Sequence, residues 1–321
     1  MQTTEIDSSK PNRTAIGKPP RVSVLIPTHN RPEYFELALK SVLLQNYPNT
    51  EIIVADNSDG NETVEKIKPY LLKYGHIIYV RTRHTTATEN FSLALKISTG
   101  KYVAHLMDDD LFHPDKISRM IAYFEQNDTV RIATSFRKLI DANGNGIHPI
   151  PGTERLFETD TLITGHSFGK YILEKGSNLI GEPTTAIILK EDIPEGFGWF
   201  CGRQYTYLSD VATWLSILSK GDCVYLSEAM SYFRIHEGQH QKNKDFVQLR
   251  ASCEWFQLGM DAYERNLFST ANAEFLVRLK EKLATLVYYG FHGPDANDLP
   301  SDLVREISSV VKRGNALIAA A

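Results

Sequence analysis

Val22-Ser-Val-Leu-Ile-Pro-Thr-His-Asn-Arg31, with Pro32 directly behind it, is the stretch on which the fold turns. Its aliphatic run does not alternate with polar residues, which suits a strand buried on both faces of a parallel sheet. Thr28 to Arg31 is turn-like, and Phe35, Leu39, Val42 and Leu43 then recur at helical spacing, so the unit reads strand, loop, helix. The same plan returns downstream. Glu51 to Ala55 is strand-like, Asp56 to Gly60 is turn chemistry, and Val64, Ile67 and Leu71 mark a helix that Pro69 is expected to disturb. A third strand at Ile77 to Val80 leads to a helix bearing Phe91, Ala94 and Leu95. A fourth, Tyr102 to Leu106, ends in Asp108-Asp109-Asp110 before Pro114 opens a helix with Ile117, Met120, Ile121 and Phe124 on one face. Repeated units of this kind predict an α/β fold, a mainly parallel sheet with helices on both faces. Ligands then bind beyond the carboxyl ends of the strands, at residues 28–31, 56–60 and 108–110.

After Gly144 and Gly146 the pattern loosens. Ala186 to Leu189 and Cys223 to Leu226 read as strands, and Val211, Trp214, Leu215 and Leu218 form a helical stripe between them. From about Phe246 onward the spacing is helical. The organisation expected is therefore a flexible arm over 1–20, an α/β domain over 21–244 with halves at 21–125 and 126–244, and a C-terminal helical region over 245–321. Thirty-five Lys and Arg against 39 Asp and Glu leave a net charge of -4, which disfavours electrostatic binding of nucleic acid. The 3 cysteines, Cys201, Cys223 and Cys253, lack metal-ligand spacing, and a disulfide framework is not expected; a reducing, cytoplasmic location fits. The first twenty residues hold no apolar core of a signal peptide, and no run is long enough to span a bilayer. At most a peripheral membrane association is expected.

Three adjacent carboxylates after an apolar strand repel one another unless a cation or hydrogen bonds offset them. Oxygen ligands suit Mg2+ or Mn2+; the alternative is an acidic helix start ahead of Pro114. Asp56 is either a ligand-binding residue or the head of an Asx turn. His236-Glu237-Gly238-Gln239-His240 matches the His-Glu-x-x-His pattern of zinc hydrolases, but that chemistry needs a helix, which Gly238 and the extended residues 231–235 oppose. Trp199, Phe200, Tyr205 and Tyr207 are either packing residues or rings on which a sugar stacks.

Taken together, Val22 to Arg31, Glu51-Ile-Ile-Val-Ala-Asp-Asn-Ser58 and Gly100-Lys-Tyr-Val-Ala-His-Leu-Met-Asp-Asp-Asp110 with Pro114 resemble a family 2 glycosyltransferase of the GT-A fold. The resemblance is strong over 21–125 and weaker over 180–240. It implies inverting, metal-dependent transfer of a sugar from a nucleoside diphosphate sugar, UDP-linked by family frequency, to a hydroxyl of a glycan, a lipid-linked glycan or a small molecule. By the same resemblance Pro27, Thr28, His29, Asn30, Asp56, Asn90 and Asp108 surround the nucleotide. Asn90 is equally readable as a helix cap. Asp109 is the preferred ligand of Mn2+ or Mg2+, with Asp110 and His236 as further candidates. The family's usual first acid of this motif is Met107 here, and Met cannot bind a hard cation. Asp210, after Ser209, corresponds to the acidic motif that supplies the base. The rival readings are a nucleotide- or glycan-binding module without turnover, and the zinc hydrolase of His236, Glu237 and His240.

Overall fold

The computed structural model describes residues 1–6, 18–83, 85–238, 246–268, 273–293 and 296–320. The first strand, β1 (Thr3–Glu5), precedes β2 (Val22–Thr28), in which every residue is buried. Helix α1 (Pro32–Leu43) follows, with Pro32 at its first turn and Phe35, Leu39 and Val42 turned inward. Then come β3 (Thr50–Asp56), α2 (Glu62–Lys73), β4 (Ile77–Arg81), α3 (Ala87–Ile97) and β5 (Tyr102–His105). β5, β2, β3 and β4 lie side by side and parallel, with Val24 opposite both Ile52 and Ala104. Their contiguous aliphatic runs are explained by this double coverage: one face packs on α1 and α4 (Lys116–Gln126), the other on a core that includes Leu95 of α3.

Pro69 does not break α2, contrary to expectation. It lies on the exposed side of the helix, away from the core.

Beyond the Asp triplet the sheet becomes mixed. The short β6 (Leu111–Phe112) precedes α4, and then β7 (Val130–Ile140), β8 (Gly146–Ile147), β9 (Thr161–Ile163), α5 (Gly165–Lys175) and β10 (Ile187–Leu189) follow. A small hairpin, β11 (Trp199–Phe200) with β12 (Arg203–Gln204), leads to α6 (Ser209–Leu218) and β13 (Asp222–Arg234). The eleven-stranded sheet runs β1-β9-β13-β7-β10-β5-β2-β3-β4, with β6 beside β13 and β8 beside β7. β13 extends well past the expected Leu226: register shifts between Leu226 and Ser231 absorb the polar Ser227-Glu228 pair and let the strand continue beside β7.

Residues 1–20 were expected to form a flexible arm, and here the expectation is corrected. Thr3–Glu5 add an edge strand antiparallel to Thr161–Ile163, and the Ile6 amide donates to the Asp160 carbonyl. Residues 7–17 lie outside the described part of that arm. The C-terminal helices α7 (Val247–Glu264), α8 (Ala273–Phe291) and α9 (Ser301–Ala320) enclose a separate core of Cys253, Met260, Leu279, Leu283, Leu303 and Ile307.

One close approach sets α5 against the end of α6. A Cβ on Gly165 would stand 1.9 Å from the Gly221 carbonyl oxygen and 2.4 Å from that of Leu218, both backbone atoms that cannot step aside. Gly165→Ala should therefore lose about 1–3 kcal/mol in urea unfolding, the usual range for overpacking. An unchanged midpoint would mean that α5 slides freely.

Candidate active site

The carboxyl ends of β2, β3 and β5 bring the three expected loops together. Thr28, the last residue of β2, donates its hydroxyl to Asp108 Oδ2 at 2.9 Å, and the His29 amide donates to the same oxygen at 3.2 Å. Arg31 places Nη1 between two carboxylates, 3.0 Å from Asp108 Oδ1 and 2.9 Å from Asp109 Oδ2. Burial and then the neighbouring Asp109 charge push Asp108 up to about 6, against the opposing pull of Arg31, Thr28 and His29. A single guanidinium thus neutralises part of the repulsion that the triplet creates.

Asp109 and His236 converge. His236, just past the end of β13, has Nε2 at 3.1 Å from Asp109 Oδ2. Its ring packs against Tyr34 with centroids 4.7 Å apart, and Tyr34 in turn lies under the Arg234 guanidinium. The 3.1 Å separation is a hydrogen-bond distance, and Arg31 lies on the same Asp109 oxygen; a divalent ion held by this pair would replace that hydrogen bond, since adjacent octahedral ligands each about 2.1 Å from a hard cation stand roughly 3 Å apart. Among the described residues no third His, Cys, Asp or Glu joins them. Water and phosphate oxygens would have to fill the remaining positions, as is usual for Mg2+.

Asp110 corrects the expectation of a third ligand. Consecutive side chains diverge here, and Asp110 is fully buried, with Oδ2 accepting from the Thr184 hydroxyl at 2.6 Å and Oδ1 from the Arg234 amide at 3.0 Å. Burial and the Asp109 charge raise its pKa well above the ordinary value. Its role is to tie the triplet to β13 and to the Pro183–Thr185 turn. The zinc-hydrolase reading also fails on backbone geometry. Residues up to Arg234 are strand, no helix carries His236 and Glu237, and His240 lies outside the described residues.

On the other side of the cleft floor, Asp56 ends β3 fully buried, accepting from the Ser58 amide at 2.8 Å and from the Tyr79 hydroxyl at 2.5 Å. The Asx turn is therefore present, without excluding a ligand role. His29 Nδ1 lies 2.9 Å from the Asn57 carbonyl, and the Asn30 amide donates to Ser58 at 2.8 Å, which stitches the first loop to the second. Pro27 is buried inside β2 opposite Ala55, part of the sheet rather than of the cleft surface. Asn90 does not cap its helix: Thr86 does, in a capping box with Glu89. Asn90 is instead buried one turn in, donating to the Ala55 carbonyl at 2.7 Å and accepting from Thr82 at 3.1 Å, and so holds the end of β3.

Asp210 sits in the first turn of α6, its Oδ1 taking the Val211 amide at 2.8 Å and its Oδ2 the Asn178 side-chain amide at 2.7 Å. The residue keeps some exposed surface, while desolvation of its carboxyl raises it to about 6, helped by the charge of Glu182. Residues 178–185 link the two acidic groups. Asn178 holds Asp210, the Gly181 carbonyl accepts from Trp214 Nε1 at 3.1 Å, and Thr184 holds Asp110. Of the aromatic cluster, Phe200 and Tyr205 are core residues. Phe200 stacks on Phe268, and the Tyr205 hydroxyl donates to Asp261 at 2.5 Å. Only Trp199 and Tyr207 keep appreciable exposure.

The loop before Asp210 is held from the C-terminal helices. Glu254 of α7 accepts the amides of Thr206, Tyr207 and Leu208 at 2.8, 2.8 and 2.7 Å, and burial raises its pKa. Arg31, Tyr79, Asn178, Thr184 and Glu254 were not singled out from sequence. Arg31 lay inside the quoted motif, but nothing in the spacing of these residues reveals their partners.

The model of the family described as Glycosyl transferase family 2 matches residues 23–195. An uncharacterized glycosyltransferase of Rickettsia felis is 32% identical over 222 residues, 68% of this chain and 33% of that protein. The chain thus spans about a third of the length of the Rickettsia conorii and Rickettsia felis proteins it matches. The UDP-Glc:alpha-D-GlcNAc-diphosphoundecaprenol beta-1,3-glucosyltransferase WfaP of Escherichia coli is 27% identical over 248 residues, 76% of this chain and 89% of that one. Among solved structures, S. aureus TarS 1-349 in complex with UDP-GlcNAc superposes with a TM-score of 0.62 at 17% identity, covering 94% of this chain and 83% of that one. The mannosyltransferase PcManGT from Pyrobaculum calidifontis, with GDP-Man and Mn2+, gives 0.53 at 15% identity over 97% of this chain and 91% of that one. These likenesses establish the GT-A fold expected from the sequence, with a C-terminal helical addition. The chain belongs to glycosyl transferase family 2.

Proposed function

We propose that the protein transfers a sugar from a nucleoside diphosphate donor, UDP-linked, to a hydroxyl of a glycan or lipid-linked glycan, with inversion at the anomeric carbon. The observation that supports this is that one short segment, residues 178–185, holds acidic groups at both its ends: Thr184 holds Asp110, the neighbour of the Asp109 that meets His236, and Asn178 holds the desolvated Asp210. UDP as the nucleotide is supported by the UDP-sugar names of WfaP and of the TarS complex. A lipid-linked acceptor is supported by WfaP.

In this reading Asp56, at the end of β3, accepts from the base edge, and His29 borders the base. The Asp210 carboxylate takes the proton of the acceptor hydroxyl as its oxygen attacks the anomeric carbon. The bond from that carbon to the diphosphate breaks with its electron pair leaving on the diphosphate. Asp109 and His236 would hold a divalent cation, which when bound offsets the negative charge of the diphosphate. Arg31 supplies a fixed positive charge beside Asp108 and Asp109, and the buried Thr28 and Asp110 contacts keep that acidic loop from moving. No helix among the described residues is long and apolar enough to cross a membrane.

A panel of UDP-sugars, with UDP release as the readout, tests the activity. If neither release nor UDP binding is found, the proposal falls. Asp56→Ala should weaken UDP itself by about 1.5–3 kcal/mol, the range for a hydrogen bond to a charged group. An unchanged calorimetric affinity would leave Asp56 with the turn alone.

A further inference from the structure

Away from the acidic cleft, α5, α7 and α8 flank a half-open groove of about 400 Å³, within the range of small-molecule sites. Its apolar lining includes Leu173, Leu249, Trp255, Phe256, Phe275 and Leu279. Four cations, Lys170 and Lys175 on α5 with Arg278 and Lys282 on α8, line it against two carboxylates, Glu174 and Glu274. Glu174 and Glu274 are both engaged by Arg278, so the charge left facing the groove is positive. Lys175 and Lys282 are exposed on the two banks.

Two elements that line the groove also carry residues tied to Asp210 or to the loop before it. Gly176, at the end of its α5 bank, is two residues from Asn178, roughly 7 Å along the chain, and Asn178 holds Asp210. Its floor helix α7 carries Trp255 and Phe256 into the groove and Glu254 onto the amides of residues 206–208.

From the apolar floor, the cationic banks and this position we infer that the groove binds a phosphorylated isoprenoid chain, the lipid part of a lipid-linked acceptor. The chain lies on the aromatic floor, and its phosphate groups meet Lys175 and Lys282. The inference rests on the transferase reading, whose acceptor it specifies.

Farnesyl diphosphate is the probe, titrated calorimetrically with saturating UDP present so that the donor site is occupied. It should bind at least tenfold more tightly than farnesol or inorganic diphosphate, because each of these keeps only half of the chemistry. Thr285→Trp, a substitution at an exposed position of the α8 bank, should weaken farnesyl diphosphate at least tenfold and leave UDP affinity unchanged. Lys282→Glu should weaken farnesyl diphosphate but not farnesol. Equal binding by wild type and Thr285→Trp would overturn the inference. So would attachment only to phosphatidylglycerol vesicles regardless of Thr285→Trp, or a dimer in sedimentation that Thr285→Trp dissolves, since the groove would then face a membrane or a second copy. Turnover onto a soluble acceptor without any farnesyl diphosphate binding would remove the groove site and leave the transferase reading standing. Farnesyl diphosphate bound in the groove without turnover of any UDP-sugar would do the reverse.

Discussion

Asp210→Asn should bind UDP within a few-fold of the wild type while losing on the order of 10² to 10⁴ in turnover, the contribution usual for a general base. A base acts only as the hydroxyl oxygen attacks, so its removal damages the transition state and spares the ground-state complex. The helix start should survive, because an Asn side chain can still accept the Val211 amide through its oxygen, while the bond from the Asn178 side-chain amide is lost. Burial raises Asp210 to about 6, and only its ionised form takes a proton. The wild-type kcat should therefore rise with pH through about 6 and level off above it, and Asp210→Asn should lose that rise. Asp108 is also raised to about 6, so any residual inflection in the variant's donor affinity belongs to Asp108. The product of the wild type should carry inverted anomeric configuration by NMR. A fully active Asp210→Asn would hand the base role to another residue, and a retained configuration would contradict the single displacement.

Asp109→Asn should weaken donor binding and turnover together, by several kcal/mol in transition-state stabilisation, which is the scale for losing a charged metal ligand. Stripping divalent ions with EDTA should give the wild type a comparable loss, restored by Mn2+ or Mg2+. The variant should be much less responsive to added metal. Its fold should hold, since the Asp109 side chain meets Arg31 and His236, its carbonyl keeps the bond from Arg234 in the variant, and Asp108 and Asp110 anchor the loop. Full activity in excess EDTA would end the metal reading. Arg31 would then be the principal positive charge beside the Asp108 and Asp109 carboxylates.

What the sequence discloses follows the physics of each element. β2, β3 and β5 are buried on both faces, so they are mostly apolar without regular alternation, and such runs are visible without any partner. β7 carries Arg131, Ser135, Arg137 and Lys138 among its apolar residues, and its strand character depends on the neighbours β10 and β13. The loops that gather at the strand ends were placed by topology alone. The direction of each side chain within them was not: adjacent Asp109 and Asp110 point to different partners, a matter of backbone turns that residue type does not encode. His236 was singled out by resemblance, and the literal His-Glu-x-x-His match was already opposed in the sequence by Gly238 and the extended residues 231–235, because a metal-binding pair at that spacing requires a helix. Asn178 and Glu254 are 32 and 46 residues or more from the groups they hold, and no local pattern announces such contacts.

Glu254 gives the C-terminal helices a place in the chemistry that a boundary at residue 244 conceals. Three consecutive amides just ahead of Asp210 have one acceptor between them, and that acceptor lies on α7. Asp261, a further two turns along, takes Tyr205 and Arg203 from the same loop and Arg313 from α9. The helices are therefore a scaffold for the loop before Asp210, and a hybrid of two relatives joined after residue 195, where the family match ends, would inherit its Asp108–Asp110 loop from one parent and the proposed base, Asp210, from the other. The segment from the β11–β12 hairpin through α9 would then travel as one piece, so that Asp210 arrives with the Glu254 and Asp261 contacts that hold the loop before it.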